Sequence, residues 1–312
     1  MPGLLDRVRR RPAPIGFVLG GGGNLGAVQI GMLRALAERR VVPELIVGCS
    51  VGALNGAGFA QDPTLVGVAR LEERWRSLDA RSIMPSSWWP TAVHMARRGN
   101  AIHDNDGLRH LVEEVVTAAR FEDLAVRFEC VATDVDNARE VWFSQGPLVD
   151  PILASSAIPS VYPPVEIDGV HYVDGAVVND VPVSRAVELG ARVVYVLHVG
   201  SFDRPRPEPK RPIDVAVQAY WIARRHRFHR DMATVPAGVQ TIVLPQGDPP
   251  RIAYNDFSRT DALIAGAYTA SAAMLDELAG RDGTPSPAPR RRSPSPAQEP
   301  EPVIIEEGTA RS

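Results

Sequence analysis

Apolar runs of strand length alternate along this chain with segments whose apolar residues recur every three or four positions, and that alternation predicts strands followed by helices. Ile15 to Leu19 is a continuous apolar run, as expected of a strand covered on both faces. Glycines follow it, and then a helical pattern over residues 27 to 40 with Val28, Met32, Leu33 and Leu36 on one face. Residues 45 to 48 form a second strand and 51 to 60 its helix. A strand-helix-strand-helix opening implies a parallel sheet with covering helices, because parallel strands must be joined by crossovers. Helical periodicity returns at 62 to 78 and 107 to 119. Residues 81 to 106, with Pro85, the Trp88-Trp89-Pro90 cluster and Gly99, read as an irregular lid or cap.

Further strands are expected at 128 to 133 and 140 to 143, and residues 166 to 173 carry an Asp168-Gly169 turn between two short extended arms. A helix at 181 to 189 and a strand at 192 to 199 add another step. After a proline-rich connector come a helix at about 213 to 232, a strand at 239 to 244 and a helix at 258 to 279. The expected fold is α/β, a three-layer sandwich around a mainly parallel sheet.

Composition sets the limits of that domain. A hydrophobic fraction of 45% over 312 residues suffices for one large core. We expect a basic flexible arm at 1–14, one domain at 15–280 with its core motifs in 15–200, and a tail at 281–312. The tail is so rich in Pro, Ser, Arg and Glu that it is expected to be disordered. A net charge of −3 excludes nucleic acid as a partner on electrostatic grounds. Cys49 and Cys130 are the only cysteines, too few for a disulfide framework or a four-cysteine metal site, and they suit a reducing compartment. The basic start lacks the apolar segment of a secretory signal, and no run approaches the roughly 18 apolar residues that span a bilayer. A cytoplasmic protein, soluble or peripheral at a membrane, is expected.

The chemistry concentrates in three places. Gly48-Cys49-Ser50-Val51-Gly52 joins the second strand to its helix as a G-x-S-x-G elbow. A serine on so sharp a turn needs neighbours without side chains, and the first amides of the following helix point at any charge developing beside it. Gly21, Gly23 and Gly26 fit G-x-G-x-x-G between strand and helix. Such a loop can bind a dinucleotide, stabilise an oxyanion or simply make a tight turn. The second strand ends in Gly48-Cys49-Ser50 and not in a ribose-binding carboxylate, which favours the oxyanion reading. Asp174, in Tyr172-Val173-Asp174-Gly175-Ala176, is either the partner of Ser50 or an ordinary Asp-Gly turn. His198 ends a strand, and Ser50, Asp174 and His198 follow the chain order of an α/β-hydrolase triad, so that alternative stays open. Asp134 and Asp136 read as turn formers, and no metal is expected.

The conjunction resembles the patatin-like phospholipase family. It is carried by Gly21 to Gly26 with Ile30-Gly31-Met32-Leu33, by Gly48 to Gly52 with Ala53-Leu54-Asn55-Gly56-Ala57, and by Ala154 to Pro159 through Pro163-Pro164 to Asp174-Gly175-Ala176 and Val181-Pro182. The likeness covers residues 15 to 200 most strongly. It implies a serine-aspartate dyad that releases fatty acid from a lipid, phospholipid, lysophospholipid or neutral ester, without cofactor or metal. Matched by position, Ser50 is the nucleophile, Asp174 the base, Gly21, Gly22, Gly23, Asn24 and Gly26 the oxyanion loop, and Gly48, Gly52, Gly175 and Ala176 the supporting motif. Leu25 stands where the family commonly has a basic residue, and Gln29 where a histidine is frequent. A noncatalytic lipid-binding or scaffold protein of the same fold is the competing class. Membrane contact through Trp88 and Trp89 with Arg97 and Arg98, or through the basic helix that carries Trp221, competes with a packed cap and a solvated face.

Overall fold

In the computed structural model the described residues are 13–79, 101, 103–200, 208–210, 212–248 and 256–281. The elements follow in the order β1 (Ile15–Leu19), α1 (Gly26–Glu38), β2 (Leu45–Cys49), α2 (Val51–Gln61), α3 (Leu65–Ser77), α4 (Asp106–Val115), β3 (Arg127–Asp134), β4 (Arg139–Phe143) and α5 (Val149–Ser156). Then come β5 (Val165–Ile167), β6 (Val170–Asp174), α6 (Val183–Glu188), β7 (Val193–Leu197), α7 (Pro212–Ala233), β8 (Gln240–Val243) and α8 (Thr260–Arg281). Among the described residues one eight-stranded sheet unites the strands. Neighbours β3, β2, β1, β7 and β8 are parallel, whereas β4 and β6 run antiparallel to β3, and β5 to β6.

Strand alternation sorts side chains onto the two faces. Phe17, Leu19 and Ile46 join the large core formed with α1, α2, α3 and α8, while Val18, Leu45 and Val47 join a second core with residues of α6 and α7. The three-layer α/β sandwich with a mainly parallel sheet is therefore the observed fold. The Asp168-Gly169 turn has φ of 52° and 79°, as a two-residue hairpin between β5 and β6 requires.

Two elements depart from the periodicity. The third helix begins at Leu65 and not at 62, because Thr64 Oγ1 accepts the N–H groups of Val66 and Gly67 and so caps it. Helix α5 is not announced by the sequence, since Pro151 reads as a breaker. It sits in the first turn, where its missing N–H has no intrahelical acceptor to lose. Most of the expected lid, residues 1–12 of the expected 1–14 arm and residues 282–312 of the expected 281–312 tail lie outside the described residues. Among the described residues no helix is long and apolar enough to cross a membrane.

Helix α8 lies along α1 at a glycine. A Cβ on Gly31 would stand 2.2 Å from Ile264 O and 2.7 Å from Tyr268 N, both backbone atoms that cannot yield alone. Gly31→Ala gains helix propensity of about 1 kcal/mol but overpacks a backbone contact, which typically costs about 1–3 kcal/mol, so a net loss is expected. Gly266→Ala on α8, where an added Cβ meets nothing within 4 Å, should instead stabilise by about 0.5–1 kcal/mol. Urea unfolding of the two variants checks the opposite signs.

Candidate active site

Strand β2 delivers Ser50 to the carboxyl end of the sheet with φ 56° and ψ −128°, a strained geometry for a residue with a side chain. The flanking glycines make room for it. A Cβ at Gly52 would lie 2.2 Å from Leu19 O, and one at Gly48 2.6 Å from Gly52 O, so strand, turn and helix come closer than any side chain allows. Ser50 O accepts the N–H groups of Ala53 (2.8 Å) and Leu54 (3.2 Å), which starts α2. The N–H of Ser50 donates to Ser155 Oγ at 3.0 Å, and this serine comes from α5, the helix the periodicity missed.

Asp174 arrives on a different strand. Along β3, Val131 pairs with Cys49 of β2 and with Trp142 of β4, while Ala132 pairs with Asp174 of β6 and Val141 of β4. Since β4 occupies one edge throughout, β2 and β6 share the other and end against each other. Ser50 Oγ donates to Asp174 Oδ2 at 2.7 Å. The second oxygen, Oδ1, accepts the Ala176 N–H at 2.8 Å and has Cys49 Sγ 3.8 Å away. Thr133 Oγ1 donates to the main-chain oxygen of Asp174 (2.9 Å), whose N–H donates to Ala157 O (2.9 Å). Gly175 is required because a Cβ there would stand 2.3 Å from Val131 O. Both Ser50 and Asp174 are buried, at 4% and 2% exposure. Burial pushes the Asp174 carboxyl up to about 6, against the opposing pull of the Ala176 N–H, the Ser50 hydroxyl and the Arg224 charge, and Asp180 pushes it further up.

The glycine loop passes directly beside this pair: a Cβ on Gly21 would be 3.1 Å from Ser50 Cβ. Its amides are unequally committed. Gly21 donates to Asp180 O (3.2 Å), Leu25 to Gly22 O (3.2 Å) and Gly26 to Gly23 O, whereas the N–H groups of Gly22 and Gly23 have no acceptor among the described residues. Gly23 has φ 58°, which tips the chain into the turn, and Asn24 Nδ2 donates to Asp256 O at 2.7 Å.

A buried amide relay fixes the loop from behind. Gln29 Nε2 donates to Gly20 O (2.8 Å) and Leu197 O (3.0 Å). Its Oε1 accepts from Asn55 Nδ2 (2.8 Å), which also donates to Gly26 O (3.1 Å), and Asn55 Oδ1 accepts from Trp75 Nε1 (2.8 Å). Sequence reasoning missed Ser155 and this relay. The available signal was a polar residue inside an otherwise apolar helix face: Gln29 between Val28 and Ile30, and Asn55 among small residues.

Trp75 also lines a cleft that opens beside Ser50. Leu54, Leu108, Leu111, Ile158 and Phe257 are among the side chains of its wall, so it offers apolar surface to whatever reacts at Ser50. His198 is elsewhere in chemical terms: its ring stacks on Phe228 with centroids 5.6 Å apart. The direct bond from Ser50 to Asp174 leaves no place between them for an imidazole. Asp134 accepts from Asn137 and Arg139, and Asp136 from the His171 N–H, as turn formers do. Trp88, Trp89, Arg97 and Arg98 lie outside the described residues.

Residues 17–187 match the family model of patatin-like phospholipase. Among curated relatives, the patatin-like phospholipase domain-containing protein ZK370.4 of Caenorhabditis elegans is 31% identical over 191 residues, 61% of this chain and 14% of that protein. Lysophospholipase nte1 of Aspergillus terreus is 29% identical over 194 residues, 62% of this chain and 12% of that protein. The match thus spans a small part of each relative. Among solved structures, VipD from Legionella pneumophila aligns with a TM-score of 0.45 and 14% identity over 85% of this chain and 67% of that one.

Asn55→Leu keeps a side chain of similar size but strands Gln29 Oε1 and Trp75 Nε1 in a dry interior, while Gly26 O keeps its place in the helical ladder of α1. At about 1–3 kcal/mol for each buried group left unpaired, a loss of about 3 kcal/mol or more is expected in urea unfolding.

Proposed function

Because the chain belongs to the patatin-like phospholipase family, we propose that it is a lipid acyl hydrolase working through Ser50 and Asp174 alone. The observation that carries the reading is the 2.7 Å hydrogen bond between Ser50 Oγ and Asp174 Oδ2, made in a buried place at the mouth of an apolar cleft.

The chemistry runs in two halves. As Ser50 Oγ bonds to the ester carbonyl carbon, its proton passes to Asp174 Oδ2 and the carbonyl electron pair moves onto oxygen. The N–H groups of Gly22 and Gly23 receive that oxyanion. Gly21, whose amide is held by Asp180 O, acts by shaping the loop. One such donor is worth about 3 kcal/mol of barrier. Collapse breaks the bond to the alcohol, which leaves with the proton from Asp174. Water then gives a proton to Asp174 while its oxygen attacks the acyl carbon; the acyl bond to Ser50 breaks, the proton returns to Oγ, and fatty acid is released.

The acyl chain lies in the cleft walled by Leu54, Leu108, Leu111 and Phe257. Lipid is taken from a membrane or micelle surface. Helix α7 supports this contact, with Val215 and Ile222 exposed seven residues apart on one face and Arg225 three residues beyond Ile222. The catalytic domain is assigned to residues 15–280.

A fluorophosphonate probe tests the nucleophile: the wild type should label and Ser50→Ala should not, and an unlabelled wild type defeats the enzymatic reading. In turnover of a lysophospholipid, Asp174→Asn should lose about 100-fold or more, as removal of a general base does. His198→Ala should retain most activity, and its inactivity would restore the triad.

The dyad also has a pH signature. Asp174 must be ionised to take the proton, so kcat should fall as pH drops through about 6. Its folded-state pKa is raised above that of the unfolded chain, so the ionised group costs stability at neutral pH, and that cost disappears as the pH falls from about 6 to below about 4. Asp174→Asn should therefore be the more stable protein at pH 7.5, by an amount on the order of 2 kcal/mol, and lose that advantage near pH 4 in urea unfolding at the two pH values.

A further inference from the structure

Three arginines sit close together on α7, and their surroundings differ. Arg225 lies over the Trp221 ring, and Arg227 pairs with Asp231 and Glu140. Arg224 turns inward instead, with Nη2 2.5 Å from Asp180 Oδ1, and its guanidinium lies 5.3 Å from the centre of the Tyr220 ring. Tyr220 in turn packs on Cys49, Val131 and Ala176, the underside of the Ser50 and Asp174 strand ends.

Asp180 is the second contact of that pair with the site. It is 2% exposed, its main-chain oxygen takes the Gly21 N–H, and its Oδ1 lies 2.7 Å from where a Gly21 Cβ would be. Gly21 itself abuts Ser50. A buried carboxylate so placed needs a countercharge, and Arg224 supplies it.

We propose that Arg224 is a positioning residue for the dyad: through its ion pair with Asp180 it anchors the glycine loop beside Ser50 and offsets the negative charge that Asp180 imposes on Asp174. The inference rests on the hydrolase reading above. Around Asp174 the titratable and charged groups are Cys49 from β2, Asp180 from the segment after β6, and Tyr220 and Arg224 from α7; the hydroxyls of Ser50 and Thr133 and the amide of Ala176 complete its surroundings. Burial pushes the Cys49 thiol and the Tyr220 phenol well above their usual ranges, so both stay neutral near pH 6. Among the described residues, the main charges that act on Asp174 in that range are then Arg224, which pulls its pKa down, and Asp180, which pushes it up.

The test is the pH profile of kcat and KM for hydrolysis of p-nitrophenyl butyrate by the full chain, in the wild type, Arg224→Met, Asp180→Asn and the double variant. Arg224→Met should move the acid limb to higher pH by about one unit, since loss of a nearby opposite charge shifts a carboxyl by about that much. It should also lower kcat by about 10- to 100-fold as the loop loosens, with KM changed much less. Asp180→Asn should move the limb in the opposite direction, to lower pH. The double variant should return it close to the wild-type position.

Unchanged limbs in both single variants, or shifts in the same direction, overturn the inference, because a merely structural role predicts no opposed displacement. If Arg224→Met fails to fold, the direction of the Asp180→Asn shift decides. A wild type without Ser50-dependent turnover overturns the hydrolase reading and this inference with it, whereas wild-type turnover with unshifted variants overturns this inference alone.

Discussion

The hydrogen bond from Ser50 Oγ to Asp174 Oδ2 exists because β2 and β6 approach the same edge of β3 from opposite directions and end on adjacent residues, Val131 and Ala132. That edge is an unusual place. A parallel strand gives way to an antiparallel one within a single step of the ladder, which leaves two chain ends facing each other where an ordinary sheet has continuous backbone pairing. The polar groups this break would strand are satisfied locally. Ser155 takes the Ser50 amide, Ala157 the Asp174 amide, and Thr133 donates to the Asp174 carbonyl oxygen. Helix α5 therefore serves the junction as much as the core.

Dryness is the second condition. With Ser50 and Asp174 almost without solvent contact, the carboxyl holds its proton more tightly than in water and becomes a better base near neutrality. The same burial is unfavourable to the folded state, as is the positive φ of Ser50. The surroundings hold this strain in place. Two cores clamp the sheet from both faces, the Gln29–Asn55–Trp75 relay ties three helices to the carbonyl that begins the glycine loop, and the Arg224–Asp180 pair closes the opposite side. Local strain at such a site persists only when its neighbours over-determine it.

The elements were readable where periodicity was strong. β1, β2 and the helices that follow them appear close to their expected limits, because fully buried strands and one-sided helices leave different spacings of apolar residues. Helix α5 was not readable, since eight residues with Pro151 in the first turn carry no clear period. The glycine loop was legible as an anion-binding candidate, but its amides could not be told apart. Which of them is free depends on Asp180 O, a group about 160 residues further along the chain.

By itself the sequence determined the α/β alternation and the position of the elbow at Ser50, consequences of local hydrophobic spacing and of a sharp strand-to-helix turn, whereas the close approaches that require glycine at 52 and 175 come from Leu19 and Val131, far away in the chain. The tertiary structure alone decided that Asp174 and not His198 bonds to Ser50, that Gln29 and Asn55 form one relay, and that Arg224 differs from Arg225 and Arg227. These depend on which strand edges meet and on which face of α7 turns inward. Such pairings join residues far apart in sequence through packing, and no local pattern encodes the partner of a buried polar group.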